Sequence, residues 1–99
     1  MTPKLDDSLA APARLKICGY LSGCAEADFK VVQDYCELSQ SSLSKHITTL
    51  SDKGYVDIKK VSAARYTKTR LSLTAAGRDA LDRHVAYLQS IAGSPLPRA

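Results

Sequence analysis

The side chains best suited to chemistry in this 99-residue chain lie on one face of a single predicted helix. Leu43, Ile47 and Leu50 recur at helical spacing, so they predict a helix that begins after Ser39 and ends at Gly54. An ordinary solvated helix face carries Glu, Lys, Gln or Arg, which favour the helix more than serine and threonine do. Short hydrogen-bonding side chains, in contrast, let a helix approach base edges in the DNA major groove. We predict that the opposite face binds DNA through Gln40, Ser41, Ser44, Lys45 and Thr48.

The distribution of charge is typical of a phosphate-binding surface next to this helix. The net charge is +4, and the segment 58–78 contains six basic residues and no acid. The segment 25–37 is the reverse, with four acids and Lys30 as its one base. A basic segment beside such a helix indicates nucleic-acid binding. A solvated basic hairpin beside a solvated serine-rich helix would have the same composition, so charge alone does not separate the two interpretations.

Two shorter helices precede the candidate DNA-binding helix. Pro12 fits a first helical turn, and apolar residues continue to position 21, after which Ser22-Gly23 ends the helix. A second helix is predicted from about residue 28 to 36, with Phe29 and Val32 on its apolar face. Residues 37–38 form a tight turn before Ser39 caps the third helix. Two helices joined in this way predict a helix-turn-helix.

Two strands and a fourth helix follow Gly54. Residues 56–61 are of β-forming types, and Leu71 and Leu73 alternate with polar neighbours, which predicts a half-buried strand over 69–73. The basic loop 62–68 joins these strands into a hairpin, or wing, and Thr74 caps the last helix. We therefore predict a mainly α fold with a small β-hairpin (α+β). This fold is a winged helix-turn-helix with a three-helix core, a two-stranded wing and a C-terminal dimerisation helix.

Length and composition indicate one globular domain at residues 12–92, with an N-terminal arm at 1–11 and a flexible tail at 93–99. No apolar run approaches the ~20 residues that span a bilayer. Residues 1–7 carry two acids and lack the apolar core of a signal peptide. We expect a cytoplasmic protein that does not bind membranes.

Catalysis, thiol chemistry and metal binding are not indicated. The three cysteines are odd in number and form no CxxC pair, which argues against a disulfide framework and against a zinc site. No nucleophile elbow, phosphate loop or pair of carboxylates stands out, so we expect neither an enzyme nor a cofactor. His46 flanks the apolar stripe of its helix and is expected to pack or cap within the helix-turn-helix core.

Several segments together resemble the winged-helix regulators of the MarR/ArsR type, and most closely the small single-domain members. These segments are Leu43-Ser44-Lys45-His46-Ile47, Leu50, Gly54-Tyr55-Val56 and Leu73-Thr74-Ala75-Ala76-Gly77-Arg78. The resemblance covers about residues 12–92. It implies a homodimer that binds a pseudo-palindromic operator in double-stranded DNA. It also implies that the helix after Ser39 reads the major groove and that the loop 62–68 touches phosphate or the minor groove.

The wing and its flanks are predicted to contact DNA through Lys60, Arg65, Tyr66, Lys68 and Arg70. The family's wing often carries a glycine with several Arg or Pro, and often an aromatic residue where this chain has Arg70. Its contacts therefore cannot be transferred in detail. Asp82-Arg83-His84 resembles half of the metal site of some ArsR-type sensors, but the other half is missing, since only Tyr87, Gln89 and Ser90 follow as polar residues on this helix. Since a metal needs three or four ligands, we expect no metal site.

The last helix carries an apolar series that a small domain cannot cover by itself. Its members, at nearly heptad spacing, are Leu81, Val85, Leu88 and Ile91. Exposed stripes of this kind mark interfaces. We predict that two last helices pair about a two-fold axis, helped by Leu9 and Leu15. The alternative is a monomer in which this helix folds back on residues 15–21.

The predicted function is a sequence-specific transcriptional regulator, with repression as the default because binding would occlude a promoter. The alternative is a winged-helix module for protein–protein contact without specific DNA binding. Such modules usually expose apolar residues on the recognition helix, and the outer face of this helix has none. The residues identify neither the operator and the regulated gene nor any small-molecule, metal or thiol effector.

Overall fold

The structure, a computed structural model, describes residues 2–62 and 64–93. Its elements are α1 (Pro12–Leu21), β1 (Ala27–Asp28), α2 (Phe29–Cys36), α3 (Gln40–Asp52), β2 (Val56–Ser62), β3 (Thr67–Leu73) and α4 (Ala75–Ile91). The strands form one antiparallel sheet in the order β1-β3-β2. The predicted mainly α fold with a helix-turn-helix and a wing is confirmed. The predicted tail lies outside the described residues from position 94 onward.

Both ends of α3 follow from the sequence. The Oγ atom of Ser39 accepts a hydrogen bond from the amide of Ser42 at 3.1 Å, as predicted for the N-cap. At the other end Gly54 adopts a left-handed backbone with φ of 79°. This conformation lets the amide of Tyr55 reach the carbonyl of Leu50 at 2.9 Å and the amide of Gly54 reach the carbonyl of Ser51 at 2.9 Å. These paired bonds form a Schellman motif, which turns the chain from α3 into β2.

The turn between α2 and α3 is made without a glycine. Glu37 adopts the left-handed region with φ of 55°, which costs a non-glycine residue roughly 1–2 kcal/mol. In this conformation the amide of Leu38 donates to the carbonyl of Gln33 at 3.2 Å, so the end of α2 is satisfied. Leu43 and Ile47 of α3 are buried in the core below this turn. The packing of α3 therefore offsets the strain at Glu37.

The sheet differs from the prediction in two ways. The hairpin strands are longer, because β2 and β3 pair from Val56↔Leu73 to Ser62↔Thr67. Lys68 therefore lies in a strand and not in the loop. A third strand, β1, was not predicted, and it pairs with β3 at Ala27↔Leu71 and Asp28↔Arg70. Two residues are too few to show an alternating pattern, which explains why the sequence did not reveal this strand.

The N-terminal segment packs against the domain and is not a loose arm. Leu9 is 0% exposed and belongs to the main core. The Asp6 carboxylate accepts from the amide of Ser8 at 2.8 Å and from the Tyr55 hydroxyl at 2.6 Å, while the Asp6 amide donates to Nδ1 of His84 at 3.1 Å. The Tyr55–Asp6 hydrogen bond, with burial, raises the pKa of Tyr55 to about 12. Leu9 is therefore a core residue of its own chain, which corrects its predicted place in a dimer interface.

The N-terminus of α4 docks on the turn between α3 and β2. The Oγ1 atom of Thr74 accepts from the amide of Gly77 at 2.9 Å, which confirms the predicted cap. The same hydroxyl donates to the carbonyl of Gly54 at 2.6 Å. One side chain thus caps α4 and joins it to the base of the wing. No helix within the described ranges is long and apolar enough to cross a membrane.

Candidate nucleic-acid interface

The outer face of α3 presents the polar side chains that the sequence placed there. Leu43, Ile47 and Leu50 point into the core, and this orientation turns the opposite face to solvent. The candidate readers on that face are all exposed: Gln40, Ser41, Ser44, Lys45 and Thr48. The structure therefore brings together the whole set on one accessible surface.

The hydrogen bonds within α3 determine what two of these groups can offer a base. The Thr48 hydroxyl donates to the carbonyl of Ser44 at 3.0 Å, so its proton is already used. Thr48 can then offer only lone pairs and a methyl group to the outside. Ser41 lies 3.4 Å from the Oγ of Ser39, which itself accepts the capping bond. Acceptors and methyl groups suit the amino groups of adenine or cytosine and the methyl group of thymine.

A cleft of about 600 Å³ separates α3 from the wing. Gln40, Ser44 and Thr48 contribute its α3 wall, and Lys60 and Lys68 belong to the opposite wall on the hairpin. The cleft therefore joins the candidate base readers to wing cations. Cations that face a groove from one wall are suited to hold a phosphate backbone.

The start of α2 forms a third wall that the sequence did not predict. Lys30 and Gln33 line the cleft beside Phe29. Lys30 makes an exposed ion pair with Asp34 at 3.2 Å, and such a pair is weak enough to exchange for phosphate. The place of α2 in the motif could have indicated these residues, since the first helix of a helix-turn-helix crosses the DNA backbone. The acidic composition of the 25–37 segment argued against a phosphate contact there.

The two faces of the wing have different surroundings. Lys60 and Thr69 are paired in the sheet and face the cleft, where the Lys60 Nζ donates to the Thr69 Oγ1 at 3.2 Å. Arg70 is the next residue along β3, so it points to the opposite face. There its guanidinium meets Glu26 at 3.0 Å and Asp28 at 3.3 Å. We therefore remove Arg70 from the proposed DNA contacts, because it lies away from α3 and two carboxylates engage it.

The tip of the wing is exposed and basic. Arg65 and Tyr66 are both exposed. The Lys68 Nζ lies 5.6 Å from the centre of the Tyr66 ring and 3.8 Å from a carboxylate oxygen of Asp28. Both contacts are loose and solvent-accessible, so they leave Lys68 available to an anion. The predicted contacts Arg65, Tyr66 and Lys68 thus remain accessible together.

His46 joins α3 to the N-terminal helix and does not face the cleft. Its Nδ1 accepts from the Arg14 guanidinium at 3.2 Å, and the Arg14 Nε donates to the carbonyl of Ser8 at 2.7 Å. Partial burial, followed by the positive charge of Arg14, lowers the pKa of His46. A neutral imidazole that accepts one hydrogen bond fits the packing role expected from the sequence.

Comparison with known proteins identifies the family. The family described as "Winged helix DNA-binding domain" matches residues 13–92. This chain belongs to that family. No curated protein sequence matches the chain.

Solved structures support the assignment of this winged-helix domain. A transcriptional regulator homologue from Pyrococcus horikoshii OT3 has a TM-score of 0.81 and 29% identity, with 86% of this chain and 84% of that chain covered. A MarR-family regulator from Silicibacter pomeroyi has a TM-score of 0.64 and 25% identity, with coverages of 86% and 59%. The MosR regulator of M. tuberculosis, solved with DNA, has a TM-score of 0.70 and 19% identity, with coverages of 86% and 60%. The predicted resemblance to MarR-type regulators is confirmed, and this chain spans only about three fifths of the latter two proteins.

The last helix of the winged-helix domain divides the predicted dimer residues into two groups. Leu81 is 6% exposed and packs in the core of its own chain, so it offers almost no free surface. Val85 is 37% exposed and Ile91 is 63% exposed. Leu15 and Leu88 are half-buried. The accessible part of the predicted seam is therefore the second half of α4.

His84, which the sequence associated with a partial metal site, has a structural role in the winged-helix domain. It is 1% exposed, and its Nδ1 already accepts from the backbone of Asp6. Within residues 2–62 and 64–93, no three His, Cys, Asp or Glu side chains lie together in a way that could hold a metal ion. His84 thus connects the N-terminal segment to α4 through its hydrogen bond with the Asp6 amide.

Proposed function

We propose that this chain is a sequence-specific transcriptional regulator that acts as a homodimer on a pseudo-palindromic operator and represses by occluding a promoter. The observation that carries the proposal is the cleft between α3 and the wing. Gln40 and Ser44 line one wall of it, and Lys60 and Lys68 line the other. Base-reading groups and phosphate-binding groups therefore lie side by side, as duplex recognition requires. We assign this activity to the cytoplasm.

In the proposed complex α3 lies in the major groove. Gln40, Ser41, Ser44 and Thr48 face base edges, because they share the exposed face of the helix. Lys45 lies among them and supplies a cation for phosphate. Specificity then comes from the uncharged side chains, and the salt-dependent part of the affinity comes from the lysine.

The DNA strand that separates the major from the minor groove occupies the cleft. Lys30 and Gln33 approach it from α2, and Lys60 approaches it from the wing. Arg65 and Tyr66 at the wing tip reach the next phosphates or the minor groove. This arrangement uses cations on both sides of one strand, so it holds the register of α3 without reading sequence.

The distribution of exposed apolar residues supports DNA over protein as the partner of α3. Across the described ranges, none of the exposed large apolar side chains belongs to α3. Val31 and Tyr35 are exposed, but they lie on α2. A protein contact at that position would leave α3 free for DNA. The exposure of Val31 and Tyr35 therefore does not favour the alternative function, a winged-helix module that binds protein instead of DNA.

The first test measures DNA binding by fluorescence anisotropy over a series of salt concentrations. The probes are a random duplex and a duplex enriched from genomic fragments by the purified protein. We expect the enriched duplex to bind at least ~10³-fold more tightly than the random duplex at physiological salt. We also expect both affinities to fall steeply with salt. The absence of binding to either duplex at low salt would refute the proposal.

The proposed dimer forms through the second half of α4. Val85, Leu88 and Ile91 supply apolar surface, and Leu15 lines an adjoining open groove of about 570 Å³ between α1 and α4. Pairing about a two-fold axis would cover the same surface on both copies. It would also place two α3 helices roughly 34 Å apart, one turn of DNA.

The test of the dimer is sedimentation of the wild type and of Leu88→Glu with Ile91→Glu. We expect the wild type to be a dimer at micromolar concentration and the double variant to be a folded monomer, because two carboxylates in an apolar seam are too costly to bury. Tyr35→Glu is the matched control, since Tyr35 is 52% exposed on α2 and Ile91 is 63% exposed on α4. The control should remain a dimer. A monomeric wild type would refute the dimer, whatever the variants do.

A further inference from the structure

A group of ion pairs joins the wing to the start of the helix-turn-helix. The Arg70 NH1 of β3 lies 3.0 Å from the Glu26 Oε1, and the Arg70 Nε lies 3.3 Å from the Asp28 Oδ1. The Lys68 Nζ lies 3.8 Å from the second oxygen of Asp28. Asp28 belongs to β1, and Glu26 comes two residues earlier. Arg70 is therefore held by two carboxylates from outside the hairpin, and Lys68 lies more loosely beside one of them.

These ion pairs lie where the backbone gives little support. The ladder between β1 and β3 has only two register pairs, Ala27↔Leu71 and Asp28↔Arg70. The other side of β3 pairs Arg70 with Lys59, which places like charges opposite each other. The carboxylates of Glu26 and Asp28 offset this repulsion. Without them, the middle of the wing would lose both an anchor and its local charge balance.

The same residues connect the wing to the reading helix. Asp28 precedes α2 as its N-cap, although its side chain makes no capping bond. The carboxylate is therefore used for the wing and not for the helix. Since α2 leads directly through its turn into α3, the ion pairs relate the direction of the hairpin to the position of α3.

We propose that Glu26, Asp28 and Arg70 are positioning residues that set the angle between the wing and α3. The proposal rests on the proposed function, because the angle matters when both elements grip one duplex. Lys60 and the wing tip reach the DNA backbone only if the hairpin stands at the right inclination to α3. Glu26 and Asp28 therefore strengthen DNA binding although they are anions.

The sign of one measurement separates this role from simple electrostatics. Removing an acid beside a DNA-binding surface normally increases affinity, since it reduces repulsion of phosphate. If Arg70 were a DNA contact held back by its acids, Glu26→Gln would free it and binding would tighten. A positioning role predicts the opposite, a weaker complex after the loss of a negative charge.

The experiment compares Glu26→Gln, Asp28→Asn and the control Glu37→Gln on the enriched duplex. Glu37 is an exposed acid at the end of α2 that makes none of these ion pairs. We expect roughly threefold to tenfold weaker binding for the first two variants, as for the loss of one or two phosphate contacts. The control should bind equally or slightly more tightly. Hydroxyl-radical footprints of Glu26→Gln should lose the wing-dependent protection and keep the protection from α3.

A second measurement needs no DNA. Residual dipolar couplings of backbone amides in the free protein report the direction of the hairpin relative to α3. We expect the couplings of β2 and β3 in Glu26→Gln to change as a group, while those of α3 stay as in the wild type. Unchanged couplings, or tighter DNA binding by Glu26→Gln, would overturn the proposal. If the wild type binds no DNA, the proposed function fails and the couplings alone decide the positioning role.

Discussion

Gly77 is the position where the contact between α4 and the base of the wing is most sensitive to a single methyl group. Thr74 caps α4, and its amide donates to the carbonyl of Tyr55 at 2.9 Å. A Cβ atom at position 77 would overlap that same carbonyl oxygen and lie 2.8 Å from Cδ1 of Leu73. Neither the backbone of Tyr55 nor the strand end at Leu73 can move freely. Gly77→Ala should therefore push α4 away from the turn between α3 and β2.

The expected change in the free energy of unfolding combines one stabilising effect with two destabilising effects. Alanine in place of a helical glycine ordinarily stabilises by up to about 1 kcal/mol. Here an added methyl group in a packed contact costs about 1–3 kcal/mol. Displacement of the Tyr55 carbonyl also weakens its hydrogen bond with Thr74, which costs about 1 kcal/mol. The free energy of unfolding should fall by roughly 1–3 kcal/mol after these effects are combined.

Urea unfolding followed by circular dichroism measures this change. Gly19→Ala is the matched control, because Gly19 also lies within a helix and a Cβ there would meet nothing within 4 Å. The control should gain about 0.5–1 kcal/mol. If Gly77→Ala is as stable as Gly19→Ala, then α4 does not approach Tyr55 as closely as described and the reasoning is refuted.

Three further predictions concern the candidate interface and its support. Lys45→Ala should weaken binding to all DNA and reduce the slope of log affinity against log salt concentration by about one. Ser44→Ala should cost roughly 1–3 kcal/mol of binding free energy on the enriched duplex alone. If anisotropy titrations show no loss of affinity for either variant, α3 does not lie in the groove. Arg65→Ala with Lys68→Ala should weaken binding to specific and random DNA about equally, and a marked drop in melting temperature would show that these residues hold the hairpin instead. Since the folded state lowers the pKa of His46 below its ordinary 6.5, the unfolded chain takes up the proton more easily, so stability should decline as pH falls below about 6.5. His46→Gln should flatten that part of the stability profile in urea titrations at several pH values, and an unchanged profile would count against the role of this histidine.

The elements that the sequence predicted well are those whose boundaries depend on local chemistry. Ser39 and Thr74 cap their helices because each hydroxyl lies three residues before an amide that it can reach. Gly54 ends α3 because it tolerates the positive φ that the turn requires. Such signals need no knowledge of distant residues, so the order of α1 to α4 with β2 and β3 could be derived from the chain alone.

The missed features all depend on contacts between distant segments. The sequence predicts Leu9 at a dimer interface because the local hydrophobic pattern cannot show that the N-terminal segment folds back onto the core. The sequence does not indicate Lys30 and Gln33, because only the packing of α2 beside the cleft places them opposite the wing. The hydrophobic periodicity of the N-terminal segment and of α2 does not depend on these tertiary contacts, so it could not predict them.

For Arg70, the alternation of apolar and polar residues along β3 was informative but did not show which face of the wing lies toward α3. Leu71 is buried and alternates with Arg70 along β3, so the sequence already placed Arg70 on the opposite face of the strand. The register supplies the missing information, because Ile58 pairs with Leu71 and also lines the cleft next to α3. The face that carries Leu71 is therefore the face toward α3. Parity along the paired strands therefore places Lys60 on the face toward α3, where it is a proposed DNA contact, and Arg70 on the other face, where carboxylates engage it. Lys68 has the parity of Arg70, but it lies next to the tip of the wing, where it lines the cleft and also approaches Asp28.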